Sequence, residues 1–204
     1  MTASYYYVCL LLVMVAWLVF TIAFIAIKPK PPTQTEATAA SAPKTRDRRT
    51  SAAIFVQALG FFFMWLSFRP PFPTLTRLPG PLALAVAAGA VALAFVSGFL
   101  AVWARRTLGR EWSFEARLVE SHRLVTAGPY SIVRHPICAA MLGLWIATAL
   151  AVARPWGLLI GAPFMLIGTM IRVKLEDALL RGAFGDTFEQ WAKKTPAVIP
   201  FAPR

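Results

Sequence analysis

The fold is decided by residues 137–171, which read ICAAMLGLWIATALAVARPWGLLIGAPFMLIGTMI. Two apolar blocks in this stretch, Ile137–Ala153 and Trp156–Ile171, are separated only by Arg154 and Pro155. Each block approaches the roughly 20 residues that an α-helix needs to cross about 30 Å of hydrocarbon. Because the joint is so short, the two helices must fold back on each other. The stretch therefore predicts an antiparallel helical hairpin in a membrane.

Three further apolar blocks precede the hairpin, at Val8–Ile27, Ala52–Phe68 and Leu82–Trp103. Hydrophobic residues make up 58% of the 204 residues and charged residues 15%, against about 45–50% and about 25% in soluble domains. We therefore expect an all-α, polytopic integral membrane protein with five transmembrane helices. The first block lacks a basic start and is longer than the usual signal-peptide core of about 7–15 residues, which indicates an anchor rather than a cleaved signal.

The chain divides by composition into four parts. Residues 1–27 form an amino-terminal anchor, and residues 28–50 form a flexible basic linker rich in Pro, Thr and Ala. Residues 51–103 hold two transmembrane helices, and residues 104–204 hold the hairpin together with the main polar segments. Small residues predict close helix packing at two places. These are Ala85, Gly89 and Ala92 in the third block, and Gly157 and Gly161 in the fifth.

The net charge is strongly basic, with 21 Lys and Arg against 9 Asp and Glu. Such a balance indicates nucleic acid or anionic lipid in a soluble protein, but in a membrane protein it favours retention of cations on the cytoplasmic side. If segments 28–50, 104–135 and 172–204 are cytoplasmic, they hold 18 of the 21 cations and all nine acids. We therefore predict an outer amino terminus, an inner carboxyl terminus, membrane lipids as neighbours and no nucleic-acid partner.

The sequence lacks the motifs of several common cofactor-binding, metal-binding and catalytic sites. It contains neither a GxGxxG nor a GxxxxGK[ST] phosphate loop, and Cys9 and Cys138 share no spacing typical of a zinc site or a disulfide framework. The only two histidines, His122 and His135, have no Ser or Cys nucleophile at a recognisable spacing. This pattern favours transfer of a group that a cofactor has already activated, and we expect no metal.

The polar residues that are candidates for binding or catalysis lie before and after the hairpin in the sequence. Before it, Gly128 and Pro129 predict a turn, and Pro136 is suited to the first turn of a helix and keeps His135 out of helical geometry. After it, Arg172 and Glu176 lie four residues apart and thus on one helical face, close to hydrocarbon where charges usually face a polar cavity. Each group also has a purely structural alternative. Arg134 and His135 could be interfacial anchors, and Arg172 and Glu176 could form a simple ion pair.

At these residues the chain resembles the isoprenylcysteine carboxyl methyltransferase family. The likeness covers about Leu108 to Phe201, and its pieces follow in the family's order and spacing. They are His122–Tyr130 (HRLVTAGPY), Arg134-His135-Pro136, Arg172 with Glu176, Phe184-Gly185, and Thr195–Phe201 (TPAVIPF).

The resemblance implies a membrane enzyme that uses S-adenosylmethionine, with its catalytic region in residues 104–204. It implies that Glu176 holds the cofactor and that Arg172 is the catalytic residue that binds the acceptor carboxylate. Position 138, where the family often has Tyr, is Cys here. The other residues that would line the cofactor pocket are His122, Arg123, Leu124, Val125, Tyr130, His135, Pro136, Ile137 and Cys138.

The acceptor implied by the resemblance is a lipidic molecule or prenylated protein with a free carboxylate, methylated on the cytoplasmic side. Three alternatives stay open. One is methylation of a phospholipid or other lipid amine, and another is a nicotinamide-dependent sterol reductase, which usually has additional spans. The third is a non-catalytic membrane scaffold, which Cys138 would favour.

Overall fold

The computed structural model describes residues 3–26, 48–68, 78–109, 124–152 and 155–200. All regular secondary structure in these ranges is helical, which confirms the all-α prediction. Most of the predicted linker, and the proline-rich connection after the second apolar block, lie outside the described residues. The helices are α1 (Ala3–Ala26), α2 (Arg48–Leu66), α3 (Gly80–Leu108), α4 (Pro136–Val152), α5 (Pro155–Phe184) and α6 (Asp186–Ala192), with a 3₁₀ turn at Gly128–Ser131.

Among the described residues, four helices are long and apolar enough to cross a membrane: α1, α2, α3 and α5. The chain is therefore an integral membrane protein. Helix α4 is also apolar but has only 17 residues, so the fifth crossing stays a prediction. Helix α5 continues as one helix to Phe184, past the end of the apolar block at Ile171. The charged residues that follow the apolar block thus belong to the same rigid element.

The hairpin runs antiparallel, although residues 153–154 at its joint lie outside the described ranges. A Cβ added at Gly161 would lie 3.3 Å from Cζ2 of Trp145, and these residues lie at similar distances from the joint. Helix α5 packs mainly on α2, and α4 packs mainly on α3 and α1. The expected role of Gly161 in helix packing is confirmed, because its Cβ would come within 2.8 Å of the Gly60 carbonyl oxygen on α2.

The packing face predicted for the third apolar block is wrong. Ala85, Gly89 and Ala92 are all exposed on the protein surface, and a Cβ at Gly89 would have no neighbour within 4 Å. Because the whole block is apolar, its sequence does not distinguish a face that meets other helices from one that meets lipid. The buried stripe on α3, which contacts α1 and α4, comprises Ala83, Ala87, Ala90, Ala94, Ser97, Gly98 and Ala101.

The helix directions bring the polar termini to one end of the bundle. Helix α3 runs parallel to α1, since the Sγ of Cys9 approaches the Ala87 carbonyl oxygen and Ala16 lies beside Gly98. Helices α2 and α5 run antiparallel, with Gln57 beside Thr169 and Gly60 beside Gly161. The start of α4 and the final turns of α5 consequently meet at the same end of the bundle, which we call the polar end.

Candidate active site

The segment that enters α4 is held against the last turns of α3. Gly128 has a φ of +59°, a backbone conformation that residues with a side chain rarely adopt. A Cβ added there would lie 3.1 Å from Oγ1 of Thr107. The 3₁₀ turn that follows buries Tyr130, whose backbone carbonyl accepts a hydrogen bond from Nε1 of Trp191 at 3.2 Å. Burial, together with the charge of Glu176, raises the pKa of Tyr130 and keeps its phenol neutral at physiological pH.

The carboxyl-terminal segment pairs with the two residues before α4. The backbone N–H groups of Arg134 and His135 donate to the carbonyls of Pro196 and Ala197, at 2.8 and 2.9 Å. Nη1 of Arg134 also donates to the Thr195 carbonyl at 2.6 Å. The first two bonds satisfy the backbone N–H groups of the two residues that lead into helix α4. The Thr195–Phe201 motif therefore has a visible structural role as far as Pro200, where the described residues end.

The imidazole of His135 lies between two successive carboxylates of α5. Its Nδ1 is 3.0 Å from Oε2 of Glu176, and its Nε2 is 2.8 Å from Oδ1 of Asp177. The side chain is only 3% exposed. Burial by itself lowers the pKa of His135, but hydrogen bonds to Asp177 and Glu176 and the charges of both acids outweigh it and raise the pKa to about 9. His135 is therefore a cation at neutral pH and donates from both nitrogens.

A second cation, Arg134, completes the pairing of Asp177. Its Nη2 lies 2.9 Å from Oδ2 of Asp177, so both oxygens of that carboxylate have a partner. The interpretation of Arg134 and His135 as simple interfacial anchors is wrong, because His135 is buried and both side chains hold α5 in place. Asp177 thereby joins α4, α5 and the carboxyl-terminal segment in one network.

Glu176 differs from Asp177 in having one weakly held oxygen. Its Oε1 lies 3.5 Å from Nη2 of Arg172, one helical turn earlier, and the side chain of Glu176 is 31% exposed. Nη1 of Arg172 donates to Oε1 of Gln57 on α2 at 3.4 Å. The buried Nε of Arg172 has no hydrogen-bond partner among the described residues. Arg172 and Glu176 therefore retain capacity to bind a further polar group.

Comparison with known proteins places this arrangement in a family. Residues 84–187, about half of the chain, match the phospholipid methyltransferase family. The chain belongs to that family. The matched range contains Arg134, His135, Arg172, Glu176 and Asp177, so the whole ionic network lies inside it, whereas Gln57 lies outside.

Individual relatives match over a similar range. The chain is 29% identical over 97 residues to protein-S-isoprenylcysteine O-methyltransferase B of Arabidopsis thaliana. The aligned region covers 47% of this chain and 49% of that protein. It is 32% identical over 84 residues to protein-S-isoprenylcysteine O-methyltransferase of Schizosaccharomyces pombe, covering 41% of this chain and 36% of that one.

A third relative has a different name. The chain is 31% identical over 96 residues to the cobalt-zinc-cadmium resistance protein CzcN of Cupriavidus metallidurans, covering 46% of this chain and 44% of that protein. The match thus spans about half the length or less of each of these relatives. Within the described ranges, no group of three or more His, Cys, Asp or Glu side chains is arranged to hold a metal ion.

The described residues implied by the family likeness are divided among three structural elements. Leu124 and Val125 are partly buried in the segment before the 3₁₀ turn, and Tyr130 is buried within that turn. Pro136, Ile137 and Cys138 form the first turn of α4, with the Cys138 thiol buried. His122 and Arg123 lie outside the described residues. The structure brings His135, Arg172 and Glu176 together at the polar end.

Two participants in this cluster were missed from the sequence. Asp177 was not among the candidate residues, although it holds both Arg134 and His135. Gln57 was hidden inside the second apolar block, and only its position as a polar residue in a predicted span could have drawn attention to it. Its contact with Arg172 crosses 115 residues of sequence, which no local pattern encodes.

Proposed function

We propose that this protein is a membrane methyltransferase that uses S-adenosylmethionine to methylate the carboxylate of a lipidic or isoprenylcysteine-like acceptor. One observation carries the proposal. A guanidinium and a partly open carboxylate, Arg172 and Glu176, stand one turn apart on the same face of α5, beside the start of α4. Membership of the phospholipid methyltransferase family and the names of two relatives support the same reaction class.

The residues present suit the cofactor chemically. S-adenosylmethionine is a cation at sulfur and also has an amino-acid moiety, so its binding calls for a carboxylate in a sheltered position. Glu176 offers Oε1, while its other oxygen is held by His135. Leu124, Val125 and Tyr130 would line the pocket, with His135, Pro136, Ile137 and Cys138, and outside the described residues His122 and Arg123.

When bound, S-adenosylmethionine supplies a methyl group on a sulfonium sulfur that is activated for transfer to a nucleophile. The protein's share of the work is to bind and orient. Arg172 would hold the acceptor carboxylate through two N–H groups, using the buried Nε that has no partner among the described residues. An acceptor carboxylate is ionised at neutral pH, so no general base is needed. Holding both reactants in register and excluding water can lower the barrier by about 7–11 kcal/mol.

The membrane setting supports a lipidic acceptor. The cluster lies at the polar end of a bundle whose outer surface carries many exposed apolar side chains, such as Leu166 and Ile167 on α5. A hydrophobic acceptor could therefore remain in the bilayer while its carboxylate reaches Arg172 near the interface. Together with the cation distribution, this arrangement leads us to assign the site to the cytoplasmic side.

A second candidate is methylation of a phospholipid amine, which the name of the matching family favours. An acceptor amine must be neutral to attack, and a cationic amine would be repelled by Arg172. For this reason we rank carboxylate methylation first.

The test combines cofactor binding with an acceptor screen. Purified protein in detergent is titrated with S-adenosylmethionine by calorimetry and then offered a prenylcysteine, a fatty acid and phosphatidylethanolamine with a radiolabelled methyl donor. We expect binding and a base-labile methyl ester on a carboxylate acceptor. A base-stable product on phosphatidylethanolamine would establish the amine candidate instead, and absence of cofactor binding would refute the methyltransferase and leave the scaffold and the sterol reductase.

A further inference from the structure

The contact between Gln57 and Arg172 joins the family-matched region to a helix outside it. Gln57 lies on α2, its residue is only 3% exposed, and its amide oxygen is 3.4 Å from Nη1 of Arg172. Its amide nitrogen donates to Oγ1 of Thr169 on α5 at 2.9 Å. A buried amide with a partner on each side is held in one orientation. That orientation determines which amide atom faces the guanidinium of Arg172.

The direction of the amide follows from Thr169. The hydroxyl of Thr169 donates its single proton to the carbonyl of Met165 at 2.8 Å, so it can only accept from Gln57. The NH₂ group of Gln57 must therefore face Thr169, and its oxygen must face the guanidinium. The reverse orientation would place two donors against each other at Arg172 and two acceptors against each other at Thr169. Thr169 on α5 thus fixes the orientation of Gln57. Gln57 in turn fixes the orientation of Arg172, which lies one turn further along α5.

The remaining contacts of Arg172 show what this ordering achieves. With Nη1 held by Gln57, the guanidinium has two other donor positions. Nη2 lies 3.5 Å from Oε1 of Glu176, and Nε is buried without a hydrogen-bond partner among the described residues. Nε and Nη2 form one edge of the planar fork, which is the edge that can bind a carboxylate through two parallel bonds.

We propose that Gln57 is a positioning residue for Arg172, fixing its guanidinium so that the Nε–Nη2 edge is presented to the acceptor carboxylate. This inference rests on the proposed function. It assigns α2 a part in acceptor recognition, and Gln57 itself touches neither acceptor nor cofactor. Without the amide, the flexible Arg172 side chain would no longer be fixed, and its Nε–Nη2 edge would be presented to the acceptor carboxylate only part of the time.

The kinetic test uses Gln57→Met, which keeps the length of the side chain but removes both hydrogen bonds. We expect the KM for the acceptor to rise by about tenfold, equivalent to about 1.4 kcal/mol, with the Kd for S-adenosylmethionine nearly unchanged. Thr148→Val is the matched control, because Thr148 is a buried residue that also bonds between helices, accepting from Nε1 of Trp17 at 2.9 Å. A role in packing alone predicts equal kinetic effects in both variants at equal loss of thermal stability, and that result would overturn the inference.

A second measurement does not depend on turnover. In protein labelled with ¹⁵N-arginine, the Nε–H signal of Arg172 is assigned by its disappearance in Arg172→Lys. We expect Gln57→Met to shift and broaden that signal and Thr148→Val to leave it in place. An unchanged signal in Gln57→Met would overturn the positioning role, whatever the enzyme does. A shifted signal in a protein that methylates none of the acceptors would instead count against the proposed function.

Discussion

Nδ1 of His135 lies 3.0 Å from Oε2 of Glu176, although 41 residues separate them in the sequence. The bond joins the start of α4 to the last turns of α5 and holds one oxygen of the carboxylate. The other oxygen, Oε1, has only the long contact with Arg172 at 3.5 Å. One carboxylate therefore serves as a tie between helices and as the proposed contact for a cationic cofactor, and the two roles can be separated by experiment.

Glu176→Gln tests the proposed cofactor contact. Loss of the charge should weaken binding of S-adenosylmethionine by about tenfold or more, as expected for a buried charge pair worth about 2–5 kcal/mol. Asp177→Asn is the matched control, because it removes the neighbouring carboxylate from the same His135 ring. Calorimetry should show reduced affinity only in the Gln variant, while melting temperatures fall in both. Equal affinities in the two variants would reduce Glu176 to a structural ion pair.

Arg172 is tested by two substitutions with different geometry. Arg172→Ala should leave cofactor affinity nearly intact while cutting methyl transfer severely, and Arg172→Lys should restore only part of it, because an ammonium lacks the planar fork. Turnover and cofactor affinity are compared at matched thermal stability. Full activity in the Ala variant would refute carboxylate methylation and promote the lipid-amine candidate. Parallel loss of binding and turnover would mean that Arg172 acts by supporting Glu176.

The stability of the polar end should depend on pH through His135. Its pKa of about 9 in the folded protein exceeds the value of about 6.5 for a free histidine. The folded state therefore binds the proton more tightly. The stabilisation is fully present below about pH 6.5 and is lost as pH rises to about 9, with a total of roughly 3 kcal/mol.

This prediction can be checked by thermal unfolding in detergent between about pH 6 and pH 9.5, the range set by the two pKa values. The groups that face His135 are Glu176 and Asp177, whose own cations are Arg172 and Arg134. The melting temperature should fall across the range in the wild type and far less in His135→Gln. A flat wild-type profile would contradict a charged His135.

The packing of α5 on α2 makes Gly161 intolerant of a side chain. A Cβ there would lie 2.8 Å from the Gly60 carbonyl oxygen, and backbone cannot easily move aside. Gly161→Ala should lower the free energy of unfolding by about 1–3 kcal/mol. Gly89→Ala, at an exposed position of α3 with no neighbour within 4 Å, should gain up to about 1 kcal/mol from helix propensity. Melting temperatures that move in the same direction would contradict the described interface.

The cytoplasmic assignment can be tested by labelling the predicted linker. A cysteine introduced as Ala40→Cys, in a background where Cys9 and Cys138 are replaced by Ser, should resist a membrane-impermeant thiol reagent in intact cells. It should react once the membrane is permeabilised. Reaction in intact cells would reverse the predicted orientation, because the linker and the polar segments would then be outside.

Hydropathy was sufficient to locate most helices, because the cost of placing an unpaired backbone in lipid makes long apolar segments helical whatever surrounds them. It did not predict how far α5 extends. Its apolar run stops at Arg172, yet the helix continues to Phe184, since Arg172, Glu176 and Asp177 are paired with side chains from other elements. Motif likeness predicted His135, Arg172 and Glu176 as a group, and the structure brings them together.

The sequence by itself determined that this protein is a helical membrane protein, where its hairpin folds back, and which polar residues belong to the family's pattern. Only the tertiary structure decided which face of α3 is buried and which residues complete the cluster. Lipid solvates Leu and Ala alike, so an apolar helix does not encode its partner face through hydropathy. Asp177 and Gln57 acquire their roles only because folding brings α2, α4 and α5 together at the polar end, where their unpaired charges and amides must find partners.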